Sequence, residues 1–129
     1  MARDYGQAAV RTYLDAERLA HEGRHDCAGH LIGLAAECSL KKAAGGFTSP
    51  KNAEINGHLP QIKREIRLIL QGRNVTGPFL QLVSQQEFFS DWHVNDRYEQ
   101  DGHVTPDLYI RWRNQAKQAL SVARLRYTT

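Results

Sequence analysis

Apolar residues recur along this chain at spacings of three and four, while clean alternation of apolar and polar positions is almost absent. The pattern predicts an all-α domain, an antiparallel bundle of about five helices. Asp4 is placed to cap a first helix running to about Glu22, with Tyr5, Ala9, Tyr13, Ala16, Leu19 and Ala20 on one stripe and Gly23 as its stop. A second helix is predicted from near Asp26 to the Gly45-Gly46 pair, carrying Cys27, His30, Leu31, Leu34, Ala35, Cys38 and Leu40. Gly29 and Gly33 weaken it, which predicts a close approach by another element, either a crossing within the chain or a seam between copies.

Phe47 to Gly57, with Thr48-Ser49-Pro50 and Asn56-Gly57, reads as an irregular connection. A third helix then carries Leu59, Ile62, Ile66, Ile69 and Leu70, with Gly72 as its stop. After Gly77-Pro78 a fourth is predicted to place Phe79, Leu80, Leu82, Val83 and the Phe88-Phe89 pair on one apolar face, before a polar turn at Asn95-Asp96. The last helix carries the strongest signals: Thr105 as cap, Pro106 in its first position and Asp107 at the positive end of the dipole. Leu108, Trp112, Gln115, Ala119 and Ala123 form its stripe, widened by Ala116 and Leu120; Arg111, Lys117 and Arg124 fall off it.

A chain of 129 residues with 41% hydrophobic and 24% charged residues can bury its own core as a single domain over 1–129, which excludes disorder and a staple-dependent mini-protein. It holds no 18-residue apolar run, so no membrane partner is expected. Cys27 and Cys38 stand eleven residues apart on one predicted helix, about 16 Å along its axis, and cannot pair with each other. Unpaired thiols, with a start, Met1-Ala2-Arg3-Asp4-Tyr5, that has no apolar stretch, lead to an expected cytoplasmic location.

The net charge is +3 with a pI near 9.0, which permits a nucleic-acid partner. From Asp107 to the end, Arg111, Arg113, Lys117, Arg124 and Arg126 face a single acid. Between Glu87 and Asp101 the balance reverses, with five acids against Arg97. Phosphate-loop, dinucleotide, His-Glu-x-x-His and Cys-x-x-Cys motifs are missing, and His21 and His25 straddle the predicted helix stop, so no metal and no cofactor is expected.

The segment from Asp91 to His103 pairs a fixed cation, Arg97, with a titratable imidazole, His103. Such a pair can hold a phosphate in a planar fork and move a proton near neutral pH. The same residues also allow an Arg97 tied up by its acidic neighbours and a His103 exposed in a turn.

Leu34-Ala35-Ala36-Glu37-Cys38-Ser39-Leu40-Lys41-Lys42-Ala43, Gly57-His58-Leu59, and Trp92 through Tyr98 together resemble three stretches of the HEPN family of small prokaryotic helical domains. The resemblance spans nearly the whole chain. It implies an HEPN-like bundle, a homodimer, and a role with nucleotide or RNA in a defence, toxin–antitoxin or nucleotidyltransferase-linked system. Nuclease members carry Arg, four to six residues, then His at a dimer interface and act without metal; Arg97 and His103, five residues apart, fit, as do Arg18 with His25 and Arg24 with His30. Arg97-Tyr98-Glu99 is also similar to the Arg-Tyr-Pro of members regarded as non-catalytic. The expected reading is therefore a non-catalytic or regulatory module binding nucleotide, RNA or a nucleotidyltransferase partner. Arg97, Tyr98, Arg111 and Lys117 are its expected binding residues. The alternative is a metal-independent endoribonuclease with Arg97 and His103 as catalytic residues.

Overall fold

The computed structural model describes residues 3–47 and 57–127. Among them are five α-helices, α1 (Tyr5–His21), α2 (His25–Ala44), α3 (Gln61–Gly72), α4 (Pro78–Ser84) and α5 (Pro106–Val122), with a short 3-10 helix over Val94–Tyr98 and no strand. The protein is thus an all-α helical bundle. Most of the irregular connection predicted between Phe47 and Gly57 lies outside the described residues.

The termini of the helices follow local chemistry. The Asp4 side chain accepts from Gln7 N at 2.9 Å to open α1, and Thr105 Oγ1 accepts from Leu108 N at 3.1 Å to open α5, with Pro106 as the first helical residue. Three helices close in the same way, with one left-handed residue and two backbone bonds reaching back into the last turn. Gly23 (φ 80°) does this for α1, Asn74 (φ 55°) for α3 and Arg124 (φ 58°) for α5. Gly72, the predicted stop of α3, is instead its last helical residue, because Asn74 makes the turn that returns Val75 N to Leu70 O at 2.9 Å.

α2 is the central helix, packed against α1, α5 and the 3-10 helix. Its buried face runs through Ala28, Gly29, Ile32, Gly33, Ala36 and Leu40. This rotates the predicted stripe: Cys27 is exposed and Cys38 half-buried, both as free thiols. The glycines are not a seam between copies. A Cβ on Gly33 would fall 1.9 Å from Trp92 Cε2, and one on Gly29 would fall 3.0 Å from Trp112 Cζ3 and Val104 Cγ1, so the notch in α2 holds side chains of the same chain. Trp92 lies in it at 1% exposure and donates Nε1 to Gly29 O at 2.9 Å.

The fourth helix is shorter than predicted. It ends at Ser84, Gln85 turns extended, and Phe88 and Phe89 are buried from irregular turns with Phe89 at φ 52°. Lys63 of α3 holds that turn by donating to Gln85 O, Gln86 O and Phe88 O at 2.9–3.1 Å. Burial lowers the Lys63 pKa, but three carbonyl acceptors satisfy the ammonium. None of the helices described is long and apolar enough to cross a membrane.

Candidate functional site

Asp26 is the second residue of α2, and its carboxylate reaches across to the segment before α5. It accepts from Gly102 N and from Val104 N, each at 2.8 Å. These two bonds hold the Asp26 carboxyl below its usual range, against a smaller upward push from burial. The loop carrying His103 is therefore pinned to the start of α2.

Between that loop, the 3-10 helix and α2 lies a cavity of about 430 Å³. Trp92, Trp112, Leu31 and Val104 give it an apolar wall, while His30, Arg97 and His103 bring nitrogen groups to it. Arg97 and His103, paired in the sequence only by spacing, thus share one cavity. No carboxylate of the described residues lies within ion-pair distance of Arg97, whose guanidinium lies 4.9 Å over the Tyr98 ring instead. The Arg97 locked by its acidic neighbours is not what folds. His103 does meet one of those neighbours, with Nε2 3.5 Å from Asp96 Oδ2.

Spacing offers His30 only as one of three Arg–His pairs, with Arg24, and its place in the cavity beside Arg97 depends on Trp92. Its ring stacks on that indole at 6.1 Å between centroids and 18° between planes. Its Nδ1 is buried without a hydrogen-bond partner. Burial, with a further push from the Arg97 charge, lowers the His30 pKa, so the imidazole is neutral at neutral pH and one ring nitrogen is an acceptor.

The remaining predicted binding residues stand elsewhere. Tyr98 is 76% exposed, outside the cavity lining, and reaches the site only through Arg97. Arg111 is engaged by Asp91 in an ion pair, and the same carboxylate accepts from Trp112 Nε1 at 2.9 Å. Arg111 therefore does not offset the acids around Arg97. Lys117 borders a separate groove with Gln85 and Ser121. The cavity rim carries Asp26, Asp96, Glu99 and Asp101, so its guanidinium faces a mainly acidic surround. Among the described residues, no group of three or more His, Cys, Asp or Glu is placed to hold a metal ion.

Asp26→Ala is expected to free the loop without unfolding the bundle. The Gly102 and Val104 amides should lose about fivefold in hydrogen-exchange protection, equivalent to ~1 kcal/mol locally. Because the folded Asp26 pKa is depressed, its contribution is complete above the ordinary value of 3.8 and is lost as the pH falls through the lower folded value. Protection of both amides should hold throughout the neutral range and weaken only in strong acid. Loss of protection near neutrality would show that Asp26 does not hold the loop.

Compared with protein-family models, with curated proteins and with solved structures, the chain matches none.

Proposed function

We propose that the protein is a non-catalytic or regulatory module of HEPN type that binds a nucleotide or a nucleotide unit of RNA in the cavity beside Arg97. The observation that carries this reading is the unpaired Arg97 guanidinium at the edge of a cavity walled by two indoles. A planar fork suits a phosphate, and an apolar wall with a neutral imidazole suits a base. At about 430 Å³ the cavity falls within the ~300–1,000 Å³ typical of small-ligand sites. The acidic rim supports recognition of one phosphate by Arg97 over a run of them. The resemblance alone extends the proposal to a homodimer, in a prokaryotic defence, toxin–antitoxin or nucleotidyltransferase-linked system with a nucleotidyltransferase as candidate partner.

A second reading has its own observation: His103 beside Asp96 in the cavity Arg97 shares. In that reading His103 takes the proton of a ribose 2′-hydroxyl as its oxygen attacks phosphorus. The 5′-oxygen leaves with a proton, a 2′,3′-cyclic phosphate remains, and Arg97 steadies the charge on the phosphorane. Two chains would supply the second acid–base group.

One experiment separates the two. Labelled single-stranded RNA is incubated in chelator with the wild type, Arg97→Ala and His103→Ala, and both binding and products are followed. The expected result is binding without cleavage, weakened about tenfold in Arg97→Ala, as befits loss of a charged hydrogen bond of ~1.4 kcal/mol. Cyclic-phosphate products from the wild type alone would replace the binding module with the nuclease. Absence of binding and of cleavage by the wild type would remove both.

A further inference from the structure

At the opposite end of the α1–α2 hairpin from the cavity lies an open groove of about 590 Å³, and four exposed cations line it: Arg11, Lys42, Arg124 and Arg126. Among the described residues its one acid is Asp4, which caps α1 by accepting from Gln7 N at 2.9 Å. None of the four cations has a carboxylate partner among the described residues. They come from three separate parts of the chain, so only folding assembles them.

The stretch that follows α5 presents two of the four. Arg124 occupies the left-handed position that closes α5, where glycine is the usual residue. Beyond it the side chains alternate. Leu125 packs into the groove, where a Cβ on Gly6 would already lie 3.3 Å from both Leu125 Cδ2 and Lys42 Cε. Tyr127 docks edge-on against Tyr13 at 4.8 Å. With Leu125 and Tyr127 turned inward, Arg124 and Arg126 are turned outward. Past Arg124 the surface continues into a second depression, lined by the Phe47 and Phe79 rings and, among the described residues, by no acid.

We propose that this face is a track for single-stranded nucleic acid, with its phosphates on Arg11, Lys42, Arg124 and Arg126 and a base against the Phe47–Phe79 surface. Exposed unpaired cations followed by aromatic rings are the combination by which proteins hold a single strand without reading its sequence. From His30 to Lys42 along α2 is about 18 Å, so a mononucleotide in the cavity cannot touch the groove. The inference rests on the nucleic-acid role proposed above in that it selects a polynucleotide as the ligand class. The track stands on its own charges and needs no occupant in the cavity.

The test uses the full chain and two probes, a fluorescent oligouridylate of roughly twelve nucleotides and uridine monophosphate. Binding of each is followed as salt is raised, for the wild type, for Lys42→Gln/Arg124→Gln/Arg126→Gln and for Arg97→Ala. Each cation that neutralises a phosphate of a single strand adds about 0.7 to the slope of log affinity against log salt. The triple variant is expected to lower that slope by about 2, to bind the oligonucleotide at least tenfold more weakly at low salt, and to melt like the wild type. Its binding of the mononucleotide should be unchanged. The proposal is overturned if oligonucleotide affinity and salt slope survive in the triple variant, or if anionic vesicles bind through these residues while the oligonucleotide does not. Loss of mononucleotide binding in Arg97→Ala with no effect in the triple variant would keep the cavity and discard the track; the reverse pattern would keep the track and discard the cavity. The double variant Arg124→Gln/Arg126→Gln, which leaves α2 untouched, is expected to give two thirds of the change in slope.

Discussion

Replacing Gly33 with alanine is expected to destabilise the protein by about 2–4 kcal/mol, although alanine is the better helix former by ~1 kcal/mol. The new Cβ would lie 1.9 Å from Trp92 Cε2, 2.2 Å from Nε1 and 2.4 Å from Cζ2, all atoms of a rigid ring. Trp92 is 1% exposed and gives its N–H to Gly29 O, so it cannot withdraw without losing both its burial and that bond. Overpacking a filled site costs ~1–3 kcal/mol, and full loss of a buried tryptophan ~3–5 kcal/mol, so the clash outweighs the gain in propensity. At about 4 °C per kcal/mol the midpoint should fall by roughly 8–16 °C. Displacement of Trp92 also removes the surface on which His30 stacks, so ligand binding in the cavity should weaken together with stability. The control is the same change at Gly72, where a new Cβ would meet nothing within 4 Å beyond its own turn of helix; there alanine should raise stability by ~0.4–1 kcal/mol. A Gly33→Ala variant that melts at or above the wild type would show that the indole does not occupy the notch.

What the sequence made legible is what depends on near neighbours. Asp4 and Thr105 each bond a backbone N–H three residues on, so their caps can be read from a few letters. The stripes of α1, α3 and α5 also emerge, because a single face of each meets the core. α2 is central and buried over a wider arc, so periodicity alone puts the exposed Cys27 on the core stripe and leaves the buried Ile32 off it. The stop at Asn74 was hidden because a non-glycine residue takes the left-handed turn, and the length of α4 was hidden because Lys63, in another helix, holds the chain that leaves it.

The site was less legible, for the same reason carried further. Spacing could pair Arg97 with His103, six positions on, but the loop holding His103 is fixed by Asp26, which precedes Gly102 by 76 residues. Nothing near Arg111 in sequence signals that Asp91, 20 residues earlier, takes up its charge. The basic C-terminal stretch was visible as a charge run, whereas its union with Arg11 and Lys42 exists only once α1, α2 and the chain end meet. Two stretches that carry the family resemblance are joined in space as well. Glu37 of one accepts from His58 and Leu59 of the other, and neither Glu37 nor His58 lines the cavity.

That junction gives the second large effect. Glu37→Ala is expected to cost about 3 kcal/mol, because the carboxylate serves three donors from a side chain that is only 6% exposed. Oε1 accepts from His58 Nδ1 at 3.0 Å and from the buried Leu59 N at 3.2 Å, and Oε2 lies 3.5 Å from Lys41 Nζ. Truncation leaves a backbone N–H unpaired, at ~1–3 kcal/mol, and the ammonium of Lys41, whose side chain is 11% exposed, without its counter-charge. The few tenths of a kcal/mol that alanine gains in helix propensity do not offset this. His58, with a side chain 49% exposed, can turn to water, so His58→Ala should cost only ~1 kcal/mol. Glu37→Gln separates charge from shape: with its amide oxygen in the Oε1 place it still accepts from Leu59 N and His58 Nδ1, while its NH₂ confronts Lys41 as a second donor, which places it between the two. The ordering of midpoints should therefore be wild type, His58→Ala, Glu37→Gln, Glu37→Ala. Hydrogen exchange should show the loss of protection beginning at Leu59 and the first turn of α3. If Glu37→Ala instead melts with His58→Ala, the buried N–H and ammonium find other partners, and the carboxylate contributes no more than its bond to the half-exposed imidazole.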